Sequence, residues 1–182
     1  PGDEQPKKRG DLTFAEYTDE YYIPHAMAFK RSWQEDVYKL NSRILPMMGS
    51  FNLSSITVRD ITNLHAHVKE KTSATTANHY LSLLRRMLNL AVKWGLLSKN
   101  PASGLDKFKE PPHRERHLTK EELPRFLKAL DQMGDRPSTA AIKLLLFTGC
   151  RKGEILSLTW ESVQENKLYL PMTKNGQSRV VF

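Results

Sequence analysis

The feature that most constrains this chain is a break. From Asn100-Pro101 to Leu118 the sequence is rich in proline and charge, including Glu110-Pro111-Pro112-His113-Arg114, and it keeps neither a helical nor a strand period. Proline lacks an amide donor and its ring strikes the preceding turn, so such a stretch cannot run through a packed helix. The residues on its two sides must bury apolar surface separately, and residues 103–117 read as an interdomain linker. With 182 residues in all, each side has room for one small domain or a part of one. Residues 1–11 are polar, hold Lys7-Lys8-Arg9, and read as a flexible lead-in.

Both sides of the break are predicted to be helical. In a capping box a hydroxyl and a carboxylate three residues on satisfy each other's orphan backbone donors. Thr13 with Glu16 opens a first helix running towards Pro24, and Ser32 with Glu35 a second that ends before Pro46 and Gly49. Thr57 with Asp60 opens a third; the fourth runs from about Thr75 to Trp94, with Gly95 as its stop. Residues 12–102 are thus a four-helix domain. Beyond the break, Thr119 with Glu122 restarts helix, Pro137 to Phe147 reads as a buried helix ended by Thr148-Gly149, and another begins near Arg151. The period then changes. Leu168-Tyr169-Leu170 and Val180-Val181-Phe182 flank Lys174-Asn175-Gly176-Gln177, and Asn-Gly between β-prone runs is a hairpin signal.

Composition narrows the partner. The net charge is +8, with 39% hydrophobic and 26% charged residues, so a soluble globular protein with a polyanionic partner is expected. No apolar run exceeds the length of Leu144 to Phe147, which is too short to cross a bilayer, and no apolar segment opens the chain. A single cysteine, Cys150, excludes an internal disulfide and points to a reducing, cytoplasmic location. Between Glu70 and Asp106 there is no acidic residue, while Lys71, Arg85, Arg86, Lys93 and Lys99 all lie there. At 100° per residue the fourth helix separates into two sides. Ala77, Tyr80, Leu81, Leu84, Met87, Leu88 and Ala91 form a core stripe. Thr75, Asn78, His79, Ser82, Arg85, Arg86, Asn89 and Lys93 form the opposite side. Hydroxyls, amides and cations without a carboxylate suit phosphates and base edges in a major groove, although a solvated outer face has a similar composition. His65 and His67 point about 200° apart on a helix, and His113 and His117 lie among cations, so no metal site is expected.

Residues 147–160 read Phe-Thr-Gly-Cys-Arg-Lys-Gly-Glu-Ile-Leu-Ser-Leu-Thr-Trp. This resembles the first catalytic box of the tyrosine recombinases, the phage-integrase family: an apolar helix, then Thr-Gly-x-Arg-x-x-Glu, then spaced leucines and a Trp. Arg116-His-Leu-Thr-Lys-Glu-Glu-Leu resembles the opening of that family's catalytic domain. Ala91 to Pro101 resembles the close of its core-binding domain, and Leu170-Pro-Met-Thr-Lys-Asn-Gly-Gln-Ser-Arg-Val-Val its Thr-Lys-x-Gly-x-x-Arg-x-Val strand pair. The resemblance implies a mainly α chain: a four-helix, SAM-like core-binding domain over 12–102, then the N-terminal part of an α+β catalytic domain with a β-hairpin over 118–182.

It also implies a chemistry. Such enzymes cut DNA by tyrosine attack on a phosphodiester, giving a 3′-phosphotyrosine and a free 5′-hydroxyl, with no metal, ATP or other cofactor. By resemblance Arg151 is the first phosphate-binding arginine, for which a rigid, permanently charged fork is apt. Glu154, three residues on, orients it, and Lys174 protonates the leaving 5′-oxygen. Lys30 and Arg31 would meet the DNA backbone near the second helix. The six tyrosines all precede the lysine hairpin, so none matches the nucleophile, and the chain reads as a fragment that binds duplex DNA without cutting it. A homotetramer on paired sites is implied for the full-length enzyme. A non-catalytic DNA-binding regulator or directionality factor, or a basic helical scaffold, fits the same basic helix.

Overall fold

The computed structural model describes residues 12–112, 115–170 and 178–181. They fall into two compact units that divide between positions 113 and 114.

The first unit is built from four helical runs. Run one joins α1 (Phe14–Tyr17), a π segment (Thr18–Tyr22) and α2 (Ile23–Phe29). Run two joins α3 (Trp33–Lys39), a second π segment (Leu40–Ile44) and α4 (Leu45–Met48). A short 3-10 turn (Leu53–Ser55) leads to α5 (Val58–Lys71), and α6 (Ala74–Lys93) completes the unit. The predicted boxes form at Thr13–Glu16 and Thr57–Asp60. The one at Ser32 does not: its hydroxyl makes no capping bond, and Glu35 N–H bonds the Ser32 carbonyl instead.

Neither proline ends its helix. Pro24 and Pro46 each sit two residues past a π segment, where Ile23 N–H reaches Thr18 O and Leu45 N–H reaches Leu40 O. The wider turn carries the helix past a residue that has no N–H and would strike the carbonyl four back. Gly49 then turns the chain so tightly that a Cβ would lie 2.6 Å from the Leu45 carbonyl oxygen. The entire predicted stripe of α6 is buried, together with Phe14, Tyr17, Leu40, Ile44, Ile61, Leu64 and Val68. Tyr17 spends its hydroxyl on Met87 O at 2.5 Å, which ties run one to α6 and leaves no free phenol; burial pushes its pKa up.

The expected linker is corrected in its front half. Ala102 is fully buried, and Leu105 and Phe108 pack on the first core. Residues 102–110 form a strap along α6. Phe108 stacks on His65 at 4.1 Å between ring centres, and the Lys69 ammonium lies 4.2 Å from the same ring.

The second unit holds α7 (Glu122–Gln132), α8 (Pro137–Thr148), α9 (Lys152–Leu156), a 3-10 turn (Trp160–Ser162) and an antiparallel sheet β1-β2-β3. Thr119 and Glu122 make their reciprocal bonds, and Arg116 grips Glu122 with both terminal nitrogens at 2.9 and 2.8 Å. The strands are β1 (Val163–Gln164), β2 (Lys167–Leu170) and β3 (Arg179–Val181). The two β-prone runs pair antiparallel, with Leu168 facing Val181 and Leu170 facing Arg179, while the expected turn at 174–177 and Phe182 lie outside the described residues. Strand β1 is new; it returns through Glu165, at φ +51°. Helix α8 is where predicted, but not buried. Its Ala141 and Leu145 pack on a small cluster of Cys150, Ile155 and Leu170, while Phe147 is 70% exposed. A helix apolar on every side needs cover on every side, and the described elements of this unit supply it on one.

Candidate functional site

In the second unit the site is organised by one carboxylate. Helix α8 stops at Gly149, whose φ of +62° is the left-handed turn that glycine adopts without strain. Cys150 is buried in the small cluster as a packing residue, and Arg151 follows as the N-cap of α9. Glu154, in the first turn of α9, is 8% exposed. Its Oε2 accepts from Arg151 N–H at 2.9 Å and from Arg179 Nη2 at 2.8 Å, and its Oε1 accepts from Arg151 Nη1 at 2.9 Å. The Arg151 amide, against the cost of burial and with help from the two guanidiniums, holds this carboxyl below the usual carboxylate range. The acid is therefore ionised at neutral pH. The side chains of Arg151 and Arg179 remain 50% and 43% exposed. Two cations thus share one buried anion, and the surplus positive charge faces outward, where an oxyanion can take it up.

The structure brings Arg151 and Glu154 together. Lys174 lies outside the described residues. Helix α9 has five residues, so its dipole adds little beside the Arg151 guanidinium. Arg179 was not singled out by sequence reasoning. Its signal was the Arg of the Thr-Lys-x-Gly-x-x-Arg pattern, but its partner lies 25 positions away.

In the first unit the predicted face of α6 is only partly open. His79, Arg86, Asn89 and Lys93 are exposed, and Thr75 and Ser82 are half-buried. Ser82, Arg85, Arg86, Asn89, Leu90 and Lys93 line an open groove of about 390 Å³. Two assignments to that face are corrected. Asn78 is 1% exposed, and its amide is used up by the strap: Nδ2 donates to Phe108 O and Glu110 Oε1, while Oδ1 accepts from Phe108 N–H and faces His65 Nε2 at 3.2 Å. Arg85 donates Nε to Ala102 O at 3.1 Å and Nη2 to Leu105 O. The face is not free of acid either. Glu110 folds back onto it, and hydrogen bonds from Asn78 and Thr75, with the charges of His79 and Lys107, hold its carboxyl below the ordinary range.

Lys30 is a third correction. Its ammonium lies 2.6 Å from Asp36 Oδ1, and Asp36 is buried with its other oxygen accepting from Tyr22 O–H at 2.8 Å. A lysine paired to a buried carboxylate is held as a structural ion pair. Arg31 is exposed beside it, in the turn before α3. Among the described residues, no group of three His, Cys, Asp or Glu is placed to hold a metal ion, and no helix is long and apolar enough to cross a membrane.

Two family models match this chain: the phage integrase family over residues 116–182, and the phage integrase central domain over residues 14–107. The chain belongs to the phage integrase family of tyrosine recombinases. A shufflon-specific DNA recombinase of Escherichia coli is 30% identical over 174 residues, 88% of this chain and 44% of that relative. Prophage integrase IntZ of Escherichia coli K12 is 26% identical over 164 residues, 87% of this chain and 40% of that relative. Two solved integrases share the fold. A lambda integrase tetramer bound to a Holliday junction superposes with TM-score 0.80 at 18% identity, covering 99% of this chain and 55% of that one. The Tn1549 transposon integrase in complex with circular intermediate DNA gives 0.72 at 23%, covering 93% and 60%. This chain spans about half the length of the integrases it matches.

Proposed function

We propose that this chain is the DNA-binding and leading catalytic portion of a site-specific DNA recombinase that integrates or excises a mobile element. The observation that carries this reading is Arg151, half-exposed and held in place by the buried, ionised Glu154. In the proposed reaction a tyrosine oxygen attacks the scissile phosphorus, the bond to the 5′-oxygen breaks, and the 3′-phosphotyrosine keeps the bond energy for rejoining, as in type IB topoisomerases. Arg151 donates hydrogen bonds to the nonbridging oxygens as negative charge builds on them. Lys174 gives its proton to the departing 5′-oxygen. The nucleophile belongs to sequence outside these 182 residues.

The first unit would hold duplex DNA with the exposed row His79, Arg86 and Lys93, flanked by Thr75, Ser82 and Arg31. Asn78, Arg85 and Lys30 would support that surface from behind rather than touch DNA. Assembly as a tetramer on paired sites, in the cytoplasm where bacterial or phage DNA lies, is part of the same reading. Its support is the shared fold of an integrase solved as a tetramer on a Holliday junction.

The test is strand cleavage by the whole recombinase on its junction DNA. Arg151→Ala should slow formation of the covalent adduct by about 10²-fold or more while leaving a folded protein; normal cleavage by this variant refutes the assignment. The 182-residue chain alone should bind duplex DNA with an affinity that falls steeply with salt, because phosphate contacts release counterions, and should form no adduct.

A further inference from the structure

We propose that Arg179 is a positioning residue for Arg151, acting through Glu154, and that this bridge locks the base of the strand pair to the phosphate-binding arginine. The inference rests on the reading of Arg151 given above. Arg179 is not one of the residues that meet the phosphate in that reading; it meets the acid that holds the one that does.

The geometry makes the case. A carboxylate group turns readily about its last torsion, a broad two-fold well. Arg151 holds Glu154 from one side only, through its own N–H on Oε2 and Nη1 on Oε1. Both donors come from the N-cap of a five-residue helix, so they move together. Arg179 supplies a third donor from a different element, on Oε2 at 2.8 Å. Its backbone is fixed independently, because Arg179 is the first residue of β3 and pairs with Leu170, which is 2% exposed in the small core. With Arg179 in place the carboxylate plane is set by two elements, and the Arg151 fork inherits that orientation. Without it Glu154 is buried against a single cation and regains its torsional freedom. Misplacing a reacting group by about 1 Å costs on the order of 10²-fold in rate.

The experiment is single-turnover cleavage by the whole recombinase, with five proteins besides wild type: Arg151→Ala, Arg179→Gln, Arg179→Lys, Glu154→Gln, and Glu154→Gln combined with Arg179→Gln. Each acts on ordinary junction DNA, and on DNA whose scissile phosphate is replaced by a methylphosphonate, which removes the nonbridging negative charge that Arg151 serves. Arg179→Gln should cleave ordinary DNA about 10- to 100-fold more slowly, with DNA affinity within about twofold of wild type. Arg179→Lys, which keeps a donor and a charge, should recover most of the loss. The double variant should be no slower than Glu154→Gln alone, since the two groups act as one unit. On the methylphosphonate the Arg179→Gln penalty should shrink to near unity. Normal cleavage by Arg179→Gln with slow cleavage by Arg151→Ala overturns this proposal and leaves the proposed function standing. Normal cleavage by Arg151→Ala overturns both. An equal loss on both DNAs reduces Arg179 to a purely structural role, and a further loss in the double variant means it meets DNA directly; either sinks the proposal. Should Arg179→Gln fail to fold, Arg179→Lys cleaving as slowly as Arg151→Ala would also sink it.

Discussion

The two units solve opposite problems. The first buries its apolar surface thoroughly: Phe14, Leu40, Ile44, Ile61, Leu64, Leu84, Met87 and Leu88 are all fully buried. The second has a small buried cluster of Cys150, Ile155 and Leu170, and leaves Phe147, Leu156 and Trp160 at 70%, 64% and 90% exposure. Its order is instead concentrated in polar contacts, above all the Arg151–Glu154–Arg179 bridge and the Arg116–Glu122 fork. The lesson is that a functional constellation and a core are separate achievements. The site is assembled from one helix turn and one strand end, which demands exact donors but little buried area.

That contrast can be broken by mutation. The largest difference should appear between Leu84→Ala and Phe147→Ser. The first removes fully buried methyl groups and should destabilise its unit by about 2–5 kcal/mol. The second changes an exposed side chain and should stay within about 0.5 kcal/mol. Urea unfolding of each variant decides; similar losses in both would mean that Phe147 is covered in solution.

A smaller effect should follow from Asn78→Ala, which leaves His65 and the Phe108 backbone without their buried partner, a cost of about 1–3 kcal/mol. Its sharper signature is local. The strap should loosen, and trypsin should cut after Lys107 and Lys109 sooner than in the parent. Unchanged cleavage there would mean that Phe108 alone holds the strap.

The smallest effect concerns pH. Burial, with the charges of Lys69 and Arg85 nearby and against the opposing hydrogen bond to Asn78, lowers the His65 pKa below its ordinary 6.5. The folded state then binds fewer protons than the unfolded one just below pH 6.5, so stability rises with pH in that window and is lost as the medium is acidified. The urea midpoint of the first unit should fall between pH 7 and 5.5, and His65→Gln should flatten that slope. An equal slope in the variant would assign it to other groups.

Much of the local structure was legible from short-range chemistry. Thr13 with Glu16 and Thr57 with Asp60 are boxes because the partners are three residues apart and meet on forming the first turn. The core stripe of α6 followed from the helical period, and the Arg151–Glu154 contact from its i,i+3 spacing. The prolines misled because a π segment carries a helix past them, and no pattern of residue types announces one. Asn78 and Arg85 misled for another reason. A helical wheel shows which way a side chain points, not what lies there. Their partners Phe108, Glu110, Ala102 and Leu105 come from 17 to 32 positions downstream. The acid-free stretch was acid-free only along the chain, for Glu110 returns to it in space.

By itself, then, the sequence determined the helix starts, the buried stripe, the strand pair, the motif around Arg151 and membership in a family, all of which depend on neighbours within a turn or on residue order. Only the tertiary structure decided which polar residues are spent internally and which remain open, and that Arg179 closes on Glu154. Those outcomes depend on distant segments competing for the same donors and acceptors. A buried hydrogen-bonding group must find a partner wherever the fold supplies one.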